Sequence, residues 1–177
     1  MSAVSLQAGN LDLRRATAAD LDRVVTLQRA SYVWNRARLG VEPIPLLADY
    51  NAVLRDMEVW LAEDTGGLRG VLILEPRADD LLLWSVAVSP GRQGAGLGRS
   101  LLAATEDRAR QLGRSVIHLY TGTVLTERVA WYGRHGYVVE RVEEKSDRSV
   151  THMVKHLLEE TGTAAAQATA AETSPPA

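Results

Sequence analysis

Apolar and polar positions change period several times along the chain, and each change predicts an element. Leu11-Asp12-Leu13-Arg14-Arg15-Ala16 alternates with period two and predicts a first strand, after a mobile leader over residues 1–10. Thr17 with Asp20 three positions on reads as an N-cap, and Leu21, Val24, Val25, Leu27 and Gln28 continue at helical spacing toward Tyr32 or Trp34. Pro43 and Pro45 interrupt the next stretch, and 46–55 predicts a second, shorter helix. The runs 58–63 and 68–74 flank Thr65-Gly66-Gly67, a hairpin signal. Past a turn at 77–80, residues 81–88 are apolar almost without a break, which predicts a central strand buried on both faces. A helix over 98–112 ends at Gly113, followed by a strand at 115–120, a helix through 132–135, a strand at 137–143, a turn at 145–148 and a last strand at 150–157.

These elements bound one domain over 11–158. From about Glu160 the sequence turns to Ala, Thr, Gly, Ser and Pro, which cannot bury enough surface to offset chain entropy, so 159–177 is expected to be a disordered tail. With 177 residues, 46% of them hydrophobic, a single core is affordable. A net charge of −2 from interspersed signs gives no basic field for a nucleic acid or an anionic membrane, so small or neutral partners are expected. The absence of cysteine removes disulfides, thiolate metal sites and a cysteine nucleophile. No basic start precedes an apolar region and no apolar run reaches about 18 residues, so a cytoplasmic location is expected.

The chemistry concentrates in Ala87-Val88-Ser89-Pro90-Gly91-Arg92-Gln93-Gly94-Ala95-Gly96-Leu97-Gly98-Arg99-Ser100, where an apolar strand stops and a glycine-rich turn opens a helix. Glycines let several N–H groups point one way, and the helix start adds partial positive charge, so the run predicts an anion site suited to phosphate. Gly98-Arg99-Ser100 lacks the spacing and lysine of a P-loop. A dinucleotide fingerprint fails as well, because its last glycine would fall on Arg99 or Leu101, and Ser115-Val116-Ile117-His118 supplies no ribose-binding acid.

What the run does resemble is the acyl-CoA loop of the GNAT superfamily of N-acetyltransferases, here Gln93-Gly94-Ala95-Gly96-Leu97-Gly98 after a Val-x-Val-x-Pro strand and before Leu101-Leu102. A second block, Tyr132-Gly133-Arg134-His135-Gly136-Tyr137, resembles the family's Tyr-x-x-x-Gly-Phe/Tyr. The resemblance implies an α+β GNAT fold, a mixed central sheet of about six to seven strands flanked by about four helices. It also implies N-acetyl transfer from acetyl-CoA to a primary amine of a small molecule or peptide, by direct attack in a ternary complex, and it allows a homodimer. By the same resemblance the cosubstrate lies between the strand ending at Val88 and the strand over 116–120, along Val86, Ala87 and Val88. Its pyrophosphate falls on the amides of Gln93, Gly94, Ala95, Gly96, Leu97, Gly98 and Arg99. The Val86 N–H is implied as the oxyanion donor and Tyr132 as the acid that protonates the departing thiolate. Arg92, Arg99 and Arg134 lie within reach of phosphates.

The chain departs from the family in three places. Trp84-Ser85 stands where many members carry a glutamate base, leaving Glu63, Asp64, Glu75, Asp49 and His118 as candidates beside a water relay. Leu125 and Arg128 replace an asparagine and a small residue, with Thr126 or Glu127 as substitutes for the lost contacts. The acceptor segment holds Tyr32, Trp34, Asn35, Arg36, Arg38, Glu42, Asp49 and Tyr50, which could clamp a carboxylate or hold an ammonium ion. His135 and His152 have no metal-ligand spacing, so no metal is expected. The missing glutamate also keeps open an alternative, a catalytically silent acyl-CoA sensor or interaction domain.

Overall fold

Alternation along the strands decides the architecture, because successive side chains serve two different cores. The computed structural model describes residues 5–158; residues 1–4 and the expected tail at 159–177 lie outside them. Strands β1 (Ser5–Ala8), β2 (Leu11–Arg15), β3 (Glu58–Asp64), β4 (Gly67–Pro76), β5 (Leu81–Val88), β6 (Val116–Gly122), β7 (Val138–Glu144) and β8 (Ser149–His156) form one sheet in the order β1-β2-β3-β4-β5-β6-β8-β7. Only β5 and β6 run parallel, so the sheet is mixed. On one face Trp60, Leu72, Leu74, Leu81 and Leu83 pack with Leu101 and Leu102 of helix α5 (Leu97–Gln111). On the other, Val59, Leu61, Val71 and Ile73 pack with Val24 and Leu27 of helix α1 (Leu21–Tyr32) and Val53 of helix α4 (Tyr50–Asp56). Each fully buried leucine contributes roughly 1.5–3 kcal/mol relative to exposure.

Four features differ from the sequence expectation. Residues 5–8, read as part of a mobile leader, form β1, with Leu6 fully buried and the two-residue Gly9-Asn10 turn joining it to β2. The expected helix over 46–55 is two helices, α3 (Ile44–Leu47) and α4, because Ala48 is extended and the Asp49 carboxylate caps α4 through the N–H groups of Asn51 and Ala52. A further short helix, α2 (Asn35–Leu39), stops at left-handed Gly40. With α5 and α6 (Thr126–Arg134), the α-helices among the described residues number six and the strands eight.

Candidate active site

The decisive local irregularity is a bulge at Trp84. Opposite β4, Ser85 pairs with Ile73 and Leu83 with Leu74, leaving Trp84 as the extra residue. Leu81 and Leu83 face the α5 side; beyond the bulge it is Val86 and Val88 that pack there, while Ala87 turns to the α1 side. The strand is also re-aimed away from β6, and their pairing consists of Leu81 with Ile117 and Leu82 with His118. Past those pairs the two strands splay.

Main-chain parity follows from one hydrogen bond. The Ser89 N–H donates to Arg69 O across β4 and β5 at 2.8 Å. In an antiparallel pair alternate residues turn their N–H and C=O to the same partner, so Ala87 and Ser85 face β4 while Val86 and Val88 face the opening. In agreement, the Tyr32 hydroxyl donates to Val86 O at 3.3 Å and the Ser31 hydroxyl to Val88 O at 3.0 Å. Ala87, expected along the cosubstrate, is therefore displaced from the site: its side chain is core and its main chain is spent on Val71.

The glycine run forms the other wall. Gly94 and Gly96 have φ of 83° and 81°, a left-handed backbone that glycine adopts without penalty, and Gly96 is the N-cap of α5 with no side-chain cap. The first N–H of this stretch to find a main-chain acceptor is that of Ser100, on Gly96 O at 3.1 Å. Among the described residues, the N–H groups of Gln93, Gly94, Ala95, Gly96, Leu97, Gly98 and Arg99 have no acceptor within the protein. Free amides at the start of a fifteen-residue helix supply the donor array and dipole that phosphate requires.

Two cavities meet in the splay. One groove runs along Val88, Gln93, Gly94, Gly96, Leu97, Gly98, Arg99 and Trp131 to Val86, Arg128 and Tyr132. The second is walled by Tyr32, Asn35, Leu39, Ile44, Trp84, Ser85, Tyr120, Leu125 and Arg148, and includes the same Val86, Arg128 and Tyr132. Those three residues stand at the junction. Tyr132 is buried, stacked edge-on against Trp131 at 5.0 Å and Tyr137 at 5.8 Å. Burial raises the pKa of Tyr132 and Tyr120 above the usual phenol value, so both stay protonated at neutral pH.

The base candidates are elsewhere. Glu63 pairs with Arg14 and Arg23, Asp64 with Arg92 and Arg69, and Glu75 with Arg77. Asp49 caps α4, and His118 lies against Asp80 at 3.2 Å. None of them lines either cavity. Of the acceptor segment, Tyr32 and Asn35 reach the second cavity, whereas Arg36 is paired with Glu42, Arg38 with Glu127, and Trp34 is 76% exposed. Of the arginines considered for phosphate, Arg92 and Arg99 border the groove and Arg134 does not. Sequence reading passed over Trp131, whose ring lies 3.4 Å from where a Cβ on Gly98 would sit, and Tyr120 and Arg148. Trp131 adjoins Tyr132 in the second motif, a usable signal; Arg148, in a turn, had none. Among the described residues no cluster of three or more His, Cys, Asp or Glu could hold a metal ion, and no helix is long and apolar enough to cross a membrane.

A splayed mixed sheet with a glycine-rich amide array beside the opening defines the acyl-CoA N-acyltransferase class of fold. Residues 55–139 match the family model described as Acetyltransferase (GNAT) domain, and over that stretch the chain is similar to the GNAT acetyltransferases. Solved structures share the fold at low identity. A nourseothricin acetyltransferase is 21% identical with a TM-score of 0.53, covering 58% of this chain, which spans 66% of that protein. PaiA N-acetyltransferase from Thermoplasma acidophilum, in complex with coenzyme A, is 18% identical over 83% of this chain and 99% of its own, with a TM-score of 0.65. The ribosomal-protein-S18-alanine N-acetyltransferase from Escherichia coli is 16% identical over 82% and 92%, with a TM-score of 0.66. No curated protein sequence matches the chain.

Proposed function

We propose that the protein is an N-acetyltransferase that moves an acetyl group from acetyl-CoA to a primary amine by direct attack in a ternary complex. The observation that carries this reading is the set of unspent N–H groups from Gln93 to Arg99, opening on the groove that ends at Val86 and Tyr132. A diphosphate on those amides directs the acyl arm along the outward-facing main chain of Val88 and Val86. The PaiA relative, solved with coenzyme A, has the same fold.

At the junction, the amine nitrogen forms a bond to the thioester carbon and the carbonyl oxygen takes up negative charge. The Val86 N–H faces that region, and one preorganised donor is worth about 3 kcal/mol there. Collapse breaks the C–S bond while the Tyr132 hydroxyl donates a hydrogen bond to the leaving sulfur; the attacking nitrogen releases its extra proton to solvent, and the departing CoA sulfur takes one up. Because burial makes Tyr132 a weaker acid than a free phenol, it acts by hydrogen bonding as the C–S bond lengthens, before a full thiolate develops. A lysine-like amine of pKa 10.4 costs roughly 4.6 kcal/mol to deprotonate at pH 7. Among the described residues no carboxylate lines the second cavity, so the neutral amine is supplied by proton loss to solvent.

The same lack of a carboxylate favours a second reading, a silent acyl-CoA sensor. Thermal shift with acetyl-CoA, CoA and NAD, followed by thiol release across an amine panel, separates the two. Stabilisation by both CoA species together with turnover supports the enzyme, stabilisation without turnover the sensor, and a response to NAD alone neither.

A further inference from the structure

Charge in the second cavity has one sign. Among the described residues its wall carries Arg128 and Arg148 and no aspartate or glutamate. Arg148 is already committed, its guanidinium donating to the Asp147 carboxylate and, at 2.9 Å, to Glu42 O. Arg128 is not. Glu127 beside it is turned to Arg38, and among the described residues Arg128 has no carboxylate partner; its guanidinium rests 5.3 Å from the centre of the Tyr32 ring. Stacking on an aromatic face holds a guanidinium in place while its N–H edge stays free to donate. A partly buried cation held this way, in a cavity that offers no anion, is matched by a ligand that brings one.

We propose that the acceptor is an amine that also carries a carboxylate, an amino-acid-like compound, and that Arg128 binds that carboxylate while the amine points to the junction at Val86 and Tyr132. The inference rests on the acetyltransferase reading above and names its substrate class. Arg148 is paired with Asp147, so Arg128 is the guanidinium of this wall that has no carboxylate among the described residues, and it disfavours a ligand that brings only positive charge. A purely cationic polyamine would meet repulsion with no acid to offset it.

The test compares amino acids with matched amines lacking the carboxylate and with amino acid amides, in thiol-release assays on the full chain and on Arg128→Gln and Arg128→Lys. We expect free acids to be preferred at least about tenfold in kcat/KM, in line with a charge-assisted hydrogen bond. Arg128→Gln should erase that preference through the acceptor KM with the acetyl-CoA KM unchanged, and Arg128→Lys should restore part of it. A second arm needs no turnover: N-acetyl amino acids, but not their amides, should raise the melting temperature of the CoA-bound protein, and Arg128→Gln should abolish the rise. Equal rates with and without a carboxylate would overturn the proposal. So would a variant that shifts only the acetyl-CoA KM, which would assign the guanidinium to cosubstrate phosphate. Failure of acetyl-CoA and CoA to stabilise the wild-type chain would instead sink the acetyltransferase reading itself.

Discussion

The Tyr32 hydroxyl lies 3.0 Å from Ser85 Oγ, one residue beyond the bulge that separates β5 from β6, and Ser85 in turn donates to Gln28 at 3.1 Å. Helix α1 is thereby tied to the strand that carries the proposed oxyanion donor. Since the Ser85 hydroxyl is buried, removing its neighbour exposes the cost of an incompletely paired polar group. Tyr32→Phe is expected to lose about 1–2 kcal/mol of stability, read as a lower urea midpoint with an unchanged slope. An unaltered midpoint would mean that α1 is held by its apolar face alone.

Tyr132→Phe separates chemistry from binding. The ring keeps its stacking on Trp131 and Tyr137, so packing is retained while the hydroxyl at the junction is lost. Turnover is expected to fall by about 10²-fold, the lower end for a positioned proton donor, with acetyl-CoA affinity little changed. The pH profile offers a second check. A phenol whose pKa is raised by burial remains protonated through the assay range, so the rate should climb with pH as the amine loses its proton, without a descending limb below pH ~10. A wild-type rate in the variant would remove Tyr132 from the mechanism.

Gly96 places the amide array. Its φ of 81° and ψ of 0° turn the chain into α5, a conformation that a β-branched residue resists. Gly96→Val is expected to weaken acetyl-CoA binding by at least about tenfold in calorimetry, because roughly 1–3 kcal/mol of backbone strain is relieved by rotating N–H groups out of register. The acceptor KM at saturating cosubstrate should stay within error. Gly98→Val acts differently, by bringing side-chain atoms against Trp131 from a position where a bare Cβ is tolerated at 3.4 Å.

Legibility in the sequence tracked how local the signal was. The strand from Leu81 to Val88 and the turn around Gly94 and Gly96 write their structure into adjacent residues, so both the central strand and the amide array could be read directly. Leu6 and Ala8 alternate too, yet four residues are too few to stand out, and the Gly9-Asn10 turn that completes the hairpin passed unnoticed. The acceptor pocket was the least legible part. Arg36, Arg38 and Glu42 look like substrate ligands in the sequence, yet in space Arg36 pairs with Glu42 and Arg38 with Glu127. Arg128 and Arg148 reach the cavity from α6 and from the turn before β8, and no spacing rule links those segments to α1. The bulge at Trp84 was equally hidden, because an uninterrupted apolar strand gives no sign of where its facing switches.

Acid should unfold this domain through a small set of carboxylates. Asp20 is 5% exposed and accepts from Arg14 at 2.7 Å and 2.9 Å and from the Thr17 N–H at 2.9 Å, and the Arg14 guanidinium holds it far below the usual carboxylate range. Glu63 is lowered by the same Arg14 and by Arg23; Glu58, though pushed up by burial, is lowered on balance by its two-point pairing with Arg108. A group depressed in the folded state contributes stability that is complete above its unfolded pKa, near 4, and is lost as pH falls through the folded value. Stability should therefore be flat from about pH 7 to pH 5 and decline below pH ~4. Asp20→Asn should cost about 1–3 kcal/mol at neutral pH, a figure kept low because Arg14 is 44% exposed, and should flatten the decline. Urea midpoints at several pH values between 3 and 7 measure both effects, and an acid slope as steep in the variant as in the wild type would place the responsible carboxylate elsewhere.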